Sequence, residues 1–420
     1  MKAGEVRDRL AALREAGVAL RRRPGGEVIE VLAAVLDRWR DPDAPERRAL
    51  ERDLPGATGF SAPVVKEGLA LALEPWSGEA LRGVAQRLLA RGDDLALGHD
   101  TTAVLLAGSI PMPSLLGVLE PLALRSPALV KPASRDPLTA HLVKRSIAAV
   151  DGELARCVEV ADFESGDEAC LAAFLQADCI VATGSDEAVE AVARRAPQRR
   201  VIRHGHRLSV GLLGPDATCG APLARAAAGL ARDVALWDQQ GCLSPVAVYV
   251  VGGGRIPAEV LDAFEAALTA QARALPLGAV DPAAAALLAH ERSGAELRAA
   301  ADESATLRVA EDGSWTLVAE VDATPRPMPL HRFLRLHPLA SLDAARDALG
   351  PVAPHLAGVA VAGFPTPDAA RASEVLRALG ASRLCEPGEL QRPPLDWPRD
   401  GLVPFISLAQ PAEGGAPGPR

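Results

Sequence analysis

The chain has 420 residues, of which 49% are hydrophobic and 24% are charged, a composition typical of a globular protein with sizeable cores. Its net charge of −9 and its aromatic content of only 3% argue against a general affinity for nucleic acid or for anionic membranes. The length predicts two or three domains.

The cysteines and the N-terminus indicate a compartment. The six cysteines include no CxxC pair, and so few in a long chain are not a disulfide framework, so we expect reduced thiols in a cytoplasm. Residues 1–23 are charged and lack the apolar core of a signal peptide. Residues 101–119 carry no charge, but prolines and glycines interrupt them. They predict a strand, a loop and a buried helix, and no integral membrane segment.

The first half of the chain predicts helices followed by a sheet. Residues 1–52 have the pattern of surface helices, residues 53–66 that of a loop, and residues 67–92 that of an amphipathic helix. Predicted strands then alternate with predicted helices: strands at 102–106, 128–131, 157–160, 179–182 and 200–202, and helices at 114–124, 138–150, 167–176 and 186–194. This alternation predicts a parallel, doubly wound sheet that binds ligands at the carboxyl ends of its strands.

A second α/β domain is predicted after Cys242. Its predicted strands are residues 246–251, 306–310, 316–320, 333–336 and 359–362, and its predicted helices are residues 258–273, 282–301, 342–349 and 368–379. Residues 311–314 have the pattern of a hairpin turn. Residues 386–420 are rich in Pro and Gly and predict an extended arm, with disorder expected at 414–420.

Cys242 lies between a helical pattern and the apolar run 246–251, which predicts a buried strand. A thiol on a short polar turn between two rigid elements is positioned as a nucleophile requires. The alternative is a structural cysteine, which more often packs inside a strand as a small apolar residue. The segment alone leaves both interpretations open.

The loop after the strand at 128–131 is a candidate nucleotide site. Lys131 ends a buried strand, which is costly unless its ammonium meets an anion or water. Pro132 stops the strand, and Ser134 and Arg135 add hydrogen-bond donors that suit a ribose phosphate. The alternative is a lysine that snorkels to solvent at a strand end.

A glycine-containing turn formed by Thr183, Gly184 and Ser185 leads into a predicted helix. Free backbone N–H groups and the helix dipole at such a start suit a pyrophosphate. The alternative is a simple N-cap, which Ser185 would supply equally well. The GxGxxG fingerprint of a standard Rossmann domain is absent.

Two further loops carry candidate polar groups. Gly108 lets the backbone approach a ligand and the Ser109 hydroxyl can donate to an oxygen, although an ordinary proline-rich turn is the alternative. Residues 203–207 place His204 and His206 among arginines, which suits an anion or a general base. The alternative is a solvated basic loop. Zinc is a weak interpretation because no other ligands cluster there, and we expect no metal.

The order of these motifs resembles the aldehyde dehydrogenase superfamily. Within it, residues 238–245 (DQQGCLSP) resemble the nucleophile motif of the LuxC-type acyl-CoA reductases, the fatty acyl reductase family. Residues 136–140 and 388–401 also fit that family, so the resemblance covers residues 55–405.

The resemblance implies an aldehyde dehydrogenase-like α/β fold with two doubly wound domains. N-terminal helices and an NADP-binding domain would occupy residues 1–236, and a catalytic domain would occupy residues 237–385. The arm at residues 386–420 would return to the first domain or to a subunit interface.

The resemblance also implies an NADPH-dependent reductase that converts an activated acyl group into an aldehyde. Cys242 would attack the thioester and hold the acyl group for hydride transfer. Lys131 with Ser134 or Arg135 would hold the adenosine ribose and its phosphate, and residues 183–185 would lie along the cofactor. The substrate would be an acyl-CoA or an acyl group on a carrier. An acyl-activating synthetase, a carrier protein and further copies of the chain are the expected partners.

The chain departs from the superfamily at three places. Hydrolytic relatives carry a glutamate base in the loop that corresponds to residues 203–207, where this chain has no carboxylate. Because that base activates water, its absence fits reduction, and His204 or His206 is a candidate to help form the thiolate. The Glu-x-Phe-Gly-Pro element that steadies the nicotinamide ribose has no match in residues 327–333. Ser109 replaces an asparagine that stabilises the oxyanion, which leaves more of that role to backbone N–H groups.

Two other functions stay open on the sequence. An acyl-phosphate reductase of the glutamyl phosphate reductase type has the same fold and also lacks the glutamate base. A non-catalytic scaffold could keep the fold and carry an acyl group on Cys242 for a partner. Residues 238–245 favour the thioester reductase over the acyl-phosphate reductase. The serine at position 109 and the absence of the ribose-binding glutamate keep the scaffold open.

Overall fold

The computed structural model describes residues 1–302 and 305–411. Its helices are α1 (Ala3–Arg22), α2 (Gly25–Arg40), α3 (Pro45–Thr58), α4 (Ala62–Leu73), α5 (Gly78–Val84), α6 (Met112–Ala123), α7 (Thr139–Val150), α8 (Gly152–Ala155), α9 (Glu168–Phe174), α10 (Asp186–Arg195), α11 (Gly220–Ala235), α12 (Ala258–Ala274), α13 (Pro282–Ala301), α14 (Ala344–Leu349) and α15 (Thr366–Ala378). None of the helices in these described residues combines the length and apolarity needed to cross a membrane.

The strands form three sheets. They are β1 (Ala90–Arg91), β2 (Asp94–Leu95), β3 (Thr102–Leu105), β4 (Ala128–Lys131), β5 (Val158–Val160), β6 (Cys179–Thr183), β7 (Arg200–His204), β8 (Leu208–Leu213), β9 (Pro245–Val251), β10 (Thr306–Val309), β11 (Thr316–Ala319), β12 (Phe333–Leu339), β13 (Leu356–Ala362) and β14 (Arg383–Cys385). The disorder expected at residues 414–420 lies outside the described residues.

The chain divides into two compact units. The first comprises Met1–Thr58, Ala72–His206 and the arm from Pro394, and the second comprises Gly59–Leu71 and Arg207–Pro393. Residues 207–236 therefore group with the second unit, whereas the sequence placed a boundary after residue 236. The cause is β8, which pairs with β9 and β13 inside the second unit's sheet.

The first unit contains a five-stranded parallel sheet in the order β5-β4-β3-β6-β7. The central strands β3, β4 and β6 are almost entirely buried, as expected where helices cover both faces of a parallel sheet. Chain order runs outward from β3 to β5 on one side and through β6 to β7 on the other. The topological switch point, where such sheets bind ligands, lies between β3 and β6. The strands and helices predicted for this sheet are confirmed.

The N-terminal helix α1 contributes to the core of the first unit. Its residues Val6, Leu10 and Leu13 are buried in a cluster that includes Leu129 of β4 and Phe174 of α9. Each buried side chain of this size stabilises the fold by about 1.5–3 kcal/mol. The prediction of surface helices in residues 1–52 is therefore right about helices and wrong about their inner faces, which are buried.

The arm covers the exposed edge of this sheet. Arg200 at the start of β7 donates from Nη2 to the Ser407 carbonyl oxygen over 2.7 Å. His204 at the end of β7 hydrogen-bonds to Asp400. The arm thus runs opposite in direction to β7 and protects an edge strand that could otherwise pair with another chain.

The second unit contains a seven-stranded sheet in the order β10-β11-β12-β9-β8-β13-β14. All neighbours pair in parallel except β10 and β11, which form the predicted antiparallel hairpin. The interior strand β8 was not predicted, because Gly211 weakens its strand pattern. A Cβ at Gly211 would lie 3.0 Å from Leu230 of α11, so the glycine permits close packing of helix on sheet.

The loop predicted at residues 53–66 is wrong. Helix α3 continues to Thr58 with Pro55 in its last turns, because Leu50 and Leu54 on its inner face are fully buried. The helix ends where Gly59 takes a φ of 83°, the left-handed conformation that commonly terminates helices.

The single helix predicted at residues 67–92 is also wrong. Helix α4 ends at Leu73, and α5 begins after Ser77, whose hydroxyl accepts the Ala80 N–H over 3.0 Å. The small hairpin of β1 and β2 follows. An N-cap serine inside an otherwise helical pattern is what divides it.

Two glycines make opposite predictions for alanine substitution. A Cβ at Gly214 would lie 2.2 Å from the Gly363 carbonyl oxygen, so Gly214→Ala must push two backbone segments apart. We expect it to lower the free energy of unfolding by about 2 kcal/mol. A Cβ at Gly26 in α2 would meet nothing within 4 Å. Gly26→Ala is therefore expected to raise the free energy of unfolding by about 0.5–1 kcal/mol. Urea unfolding followed by circular dichroism measures both, and a neutral Gly214→Ala would contradict the structure.

Candidate active site

Cys242 lies on the turn that leads into β9 in the second unit, and its side chain is exposed. Ser209 of β8 donates from its hydroxyl to the Cys242 carbonyl oxygen over 2.8 Å and accepts the Gly358 N–H over 3.1 Å. The Ser244 N–H donates to the Gly241 carbonyl oxygen over 2.9 Å and closes the turn. The backbone of the cysteine is therefore fixed while its side chain is exposed.

The residues before this turn adopt a left-handed conformation. Trp237, Asp238 and Gln239 have φ angles of 54°, 49° and 64°. This region costs an L-residue about 1–2 kcal/mol. Leu330, His331 and Arg332, just before β12, form a second left-handed turn with φ angles of 63°, 52° and 64°. Such strain persists only where the surroundings hold it.

A buried ion pair joins the two left-handed turns. Arg332 donates to Asp238 Oδ1 from Nη2 over 2.6 Å and from Nε over 3.1 Å. Arg332 also donates to the Leu275 carbonyl oxygen, and Asp238 Oδ2 accepts the Gly278 N–H. Burial raises the pKa of Asp238, and the Arg332 guanidinium opposes that rise. Because each charge is buried, each depends on the other.

Gln239 fixes the same turn to two strands. Its Nε2 donates to the carbonyl oxygens of Pro245 and Phe333 over 2.9 and 3.0 Å, and its Oε1 accepts the Phe333 N–H over 2.9 Å. The first two residues of the DQQGC motif are thus buried anchors for the segment that presents Cys242. Their polarity beside a predicted buried strand was the available signal, and the sequence analysis gave them no separate role.

Exposure distinguishes Cys242 from most other cysteines. Cys219 is also exposed, Cys385 is half-buried, and Cys157, Cys170 and Cys179 are buried. Burial raises the pKa of Cys157 to about 11, and the pKa values of Cys179 and Cys385 to about 12. These three thiols remain protonated near neutral pH and are poor nucleophiles.

The candidate cofactor residues of the first unit meet at one edge of its sheet. Strand β3 pairs in parallel with both β4 and β6, so the loops after these three strands are neighbours. Ser109, Lys131 and residues 183–185 lie on or beside those loops. This edge contains the switch point at which doubly wound sheets bind ligands.

Lys131 is buried at the end of β4. Its ammonium donates to the Ser165 hydroxyl over 3.2 Å and lies 5.3 Å from the centre of the Phe163 ring. Burial lowers the pKa of Lys131, and nearby Asp162 partly offsets that effect. An ammonium in this setting gains from an anionic ligand. Ser165 is a site neighbour that the sequence analysis missed, because it follows a different strand.

The loop after Lys131 separates buried and exposed groups. Pro132 is buried, whereas Ser134 and Arg135 are exposed. Asp136 accepts the N–H and the hydroxyl of Thr139 over 3.1 and 2.9 Å, and so holds the first residue of α7. The loop is therefore anchored at both ends and presents Ser134 and Arg135 at its surface.

The turn after β6 has internal hydrogen bonds. Ser185 is the N-cap of α10, where its hydroxyl accepts the Ala188 N–H over 3.3 Å. The Gly184 N–H donates to the His204 carbonyl oxygen over 3.1 Å. Thr183 is half-buried. The N-cap interpretation is confirmed, and contact of these residues with a cofactor stays a prediction.

The loop after β3 has an open backbone. Gly108 has a φ of 93°, and a Cβ there would meet nothing within 4 Å. The neighbouring Ser109 is buried. A ligand could approach the Gly108 backbone closely, as the glycine predicted.

The two histidines of residues 203–207 differ. His206 is exposed, and its backbone N–H donates to Asp186 Oδ1 over 2.9 Å. His204 is buried, with Nδ1 2.5 Å from Asp400 Oδ2. The arm thus brings a carboxylate to a loop that contains none, and this carboxylate is hydrogen-bonded to His204. Across residues 1–302 and 305–411, no group of three or more His, Cys, Asp or Glu residues could hold a metal ion.

Solved structures with similar folds include aldehyde dehydrogenases. The indole-3-acetaldehyde dehydrogenase of P. syringae has a TM-score of 0.71 at 16% identity, over 92% of this chain and 81% of that one. The γ-glutamyl-γ-aminobutyraldehyde dehydrogenase of Burkholderia cenocepacia has a TM-score of 0.69 at 19% identity, over 91% of this chain and 81% of that one. This chain therefore has the aldehyde dehydrogenase fold, as its sequence predicted.

Sequence comparison identifies a smaller class of proteins than the fold does. The model of the acyl-CoA reductase (LuxC) family matches residues 23–410, and the chain belongs to this family. A long-chain acyl-protein thioester reductase of Aliivibrio fischeri is 26% identical over 270 residues, 60% of this chain and 55% of that protein. One from Photorhabdus laumondii is 27% identical over 243 residues, 54% of this chain and 50% of that protein. The aligned part spans about half the length of these curated relatives.

Differences in cysteine burial predict selective alkylation. A brief treatment of the folded protein with iodoacetamide at about pH 8 should label Cys242 and Cys219. Cys157 and Cys179 should react only after denaturation, because burial and their raised pKa values keep them inaccessible and protonated. The half-buried Cys385 should react much more slowly than Cys242, because its raised pKa keeps it protonated. Peptide mass spectrometry measures each site. Labelling of Cys179 as fast as Cys242 would contradict the structure.

Proposed function

We propose that this chain reduces an acyl thioester to an aldehyde with NADPH, through an acyl group held on Cys242. The observation that carries the proposal is an exposed Cys242 on a turn fixed by the buried anchors Asp238 and Gln239. A cysteine that served only packing would need neither exposure nor a strained, anchored support.

Cys242 performs the first step as the nucleophile. Its thiolate sulfur attacks the thioester carbonyl carbon, the bond to the original sulfur breaks, and that sulfur leaves as a thiolate that takes up a proton. The acyl group remains as a thioester on Cys242. Hydrogen bonds from Ser209 and within the turn hold the cysteine backbone, so the sulfur needs little reorganisation for attack.

The surroundings of residues 203–207 favour reduction over hydrolysis. A water-activating base is typically worth about 10²–10⁴-fold in rate. The loop itself has no carboxylate, and Asp400 from the arm is hydrogen-bonded to the buried His204. His206 is exposed and remains our candidate to assist thiolate formation. Ser109 and neighbouring backbone N–H groups are our candidates to stabilise the oxyanion.

The carboxyl edge of the first sheet fits NADPH. The buried Lys131 ammonium and the exposed Ser134 and Arg135 would hold the adenosine ribose and its phosphate, beside Pro132. The start of α10 at residues 183–185 would face the pyrophosphate. A cofactor bound there would supply the hydride chemistry by which the acyl carbon leaves the Cys242 sulfur as an aldehyde.

The relatives bear on the substrate. Those from A. fischeri and P. laumondii are named for long-chain acyl groups carried as protein thioesters. We extend that class to this chain, with CoA or a carrier protein as the acyl donor and an acyl-activating synthetase as a partner. A cytoplasmic location and a homo-oligomer belong to the same proposal by analogy.

A pair of cysteine variants tests the acyl intermediate. Wild-type protein incubated with palmitoyl-CoA should gain one acyl group on Cys242, and NADPH should then remove it as palmitaldehyde. Cys242→Ala should abolish both, whereas Cys219→Ala, the exposed-cysteine control, should retain both. Mass spectrometry and aldehyde trapping give the readouts. No adduct from CoA or carrier thioesters would overturn the proposal, and an adduct that NADPH does not discharge would favour the scaffold.

A second variant tests the cofactor. Arg135→Ala should raise the KM for NADPH about tenfold, because an ion pair with the ribose phosphate is lost. The KM for NADH should change less than about twofold, since NADH lacks that phosphate. Arg194→Ala, an exposed arginine of α10, is the control. Equal effects of Arg135→Ala on the two cofactors would contradict the assignment.

A further inference from the structure

A turn of the arm packs against helix α11 in the second unit. A Cβ at Gly229 would lie 2.4 Å from the Pro387 carbonyl oxygen, so the two backbones are in direct contact. One helical turn later, Asp233 Oδ2 accepts the Gly388 N–H over 2.8 Å. Gly388 has a φ of 92°, which lets the chain turn sharply there. We call residues 386–391 the arm turn.

The arm turn also reaches the segment that carries Cys242. Gln391 is buried, and its Nε2 donates to the Ser244 hydroxyl over 2.9 Å and to the Asp233 carbonyl oxygen over 3.3 Å. Ser244 is fully buried and its N–H closes the Cys242 turn. One amide thus joins α11, the arm turn and the Cys242 turn.

Apolar packing brings the same two segments together. A Cβ at Gly358 would lie 2.9 Å from Leu390 Cδ2, 2.9 Å from the Ser209 hydroxyl and 3.3 Å from Leu243 Cδ2. Leu390 of the arm turn and Leu243 of the Cys242 turn therefore both border the Gly358 backbone. Ser209 at the same point holds the Cys242 carbonyl oxygen.

We propose that Gln391 is a positioning residue, which holds the Cys242 turn in the geometry for acyl transfer through its hydrogen bond to Ser244. This inference rests on the proposed function of Cys242. Gln391 touches Ser244, two positions after the cysteine, and acts on the reaction through that contact.

A substitution at Arg383 distinguishes a positioning role of Gln391 from general support of the arm turn. The Nη2 of Arg383 donates to the carbonyl oxygens of Glu389 and Arg392, so Arg383 braces the same arm turn. Neither of these carbonyl oxygens belongs to the Cys242 turn. A substitution at Arg383 therefore weakens the arm turn while the Gln391–Ser244 hydrogen bond is still available.

The test uses the full chain with Gln391→Met, Ser244→Ala, the double variant and the control Arg383→Met. Hydrogen–deuterium exchange of residues 240–244 reports the order of the Cys242 turn without reference to activity. Both single variants should speed exchange there about tenfold, and Arg383→Met by less than about twofold. The double variant should exchange no faster than either single variant, because both substitutions remove the same hydrogen bond, the one between Gln391 and Ser244. Ser244→Ala removes a single oxygen and decides the test if Gln391→Met does not fold.

Single-turnover acylation by palmitoyl-CoA supplies the second readout. Gln391→Met should lower the maximal acyl-transfer rate about tenfold and leave the half-saturating concentration within about twofold, as expected for lost positioning. Wild-type exchange rates at residues 240–244 in Gln391→Met, or equal effects of Arg383→Met, would overturn the inference. A wild-type protein that forms no acyl adduct would overturn the proposed function instead, while exchange still decides the role of Gln391.

Discussion

The ion pair between Asp238 and Arg332 is the interaction on which the presentation of Cys242 depends. It joins two turns of left-handed residues, one before the cysteine and one before β12, and both side chains are almost fully buried. Removing either charge would leave the other unpaired inside the second unit, at a cost of about 3–5 kcal/mol. Gln239 extends the same anchor to β9 and β12. The strain of the turns and the buried charges are thus held together, and the result is an exposed thiol on a fixed backbone.

The two units contribute different chemistry. The first collects a buried ammonium, an exposed arginine and a helix start at the carboxyl edge of a parallel sheet, which together suit a dinucleotide phosphate. The second carries Cys242, our proposed nucleophile. Residues 203–207 carry no carboxylate, and the Asp400 side chain that reaches them is hydrogen-bonded to His204. In the proposed chemistry, the missing carboxylate would leave an acyl group on Cys242 available for hydride and not for water.

The sequence predicted elements correctly where the local residue pattern determines the structure. It predicted them wrongly, or not at all, where contacts between distant residues determine the structure. The strand Ala128–Lys131 and the helix Pro282–Ala301 were predicted to the residue, because apolar runs and an Asp281 N-cap mark them. The strand β8 was missed because Gly211 obscures it, and Pro55 suggested a loop where buried leucines keep a helix. Cys242 became the candidate nucleophile through the family resemblance, because its segment alone left a structural cysteine open. The pairing of Asp238 with Arg332 could not be predicted, because they lie 94 residues apart and left-handed non-glycine residues leave no compositional signal.

The lifetime of the acyl group on Cys242 tests the central claim most directly. Protein loaded from palmitoyl-CoA and freed of excess substrate can be followed by mass spectrometry with and without NADPH. We expect NADPH to discharge the adduct as aldehyde at least about 100-fold faster than water releases it as fatty acid, because residues 203–207 carry no carboxylate to activate water. Rapid release of fatty acid without NADPH, or a discharge rate that NADPH does not change, would contradict it.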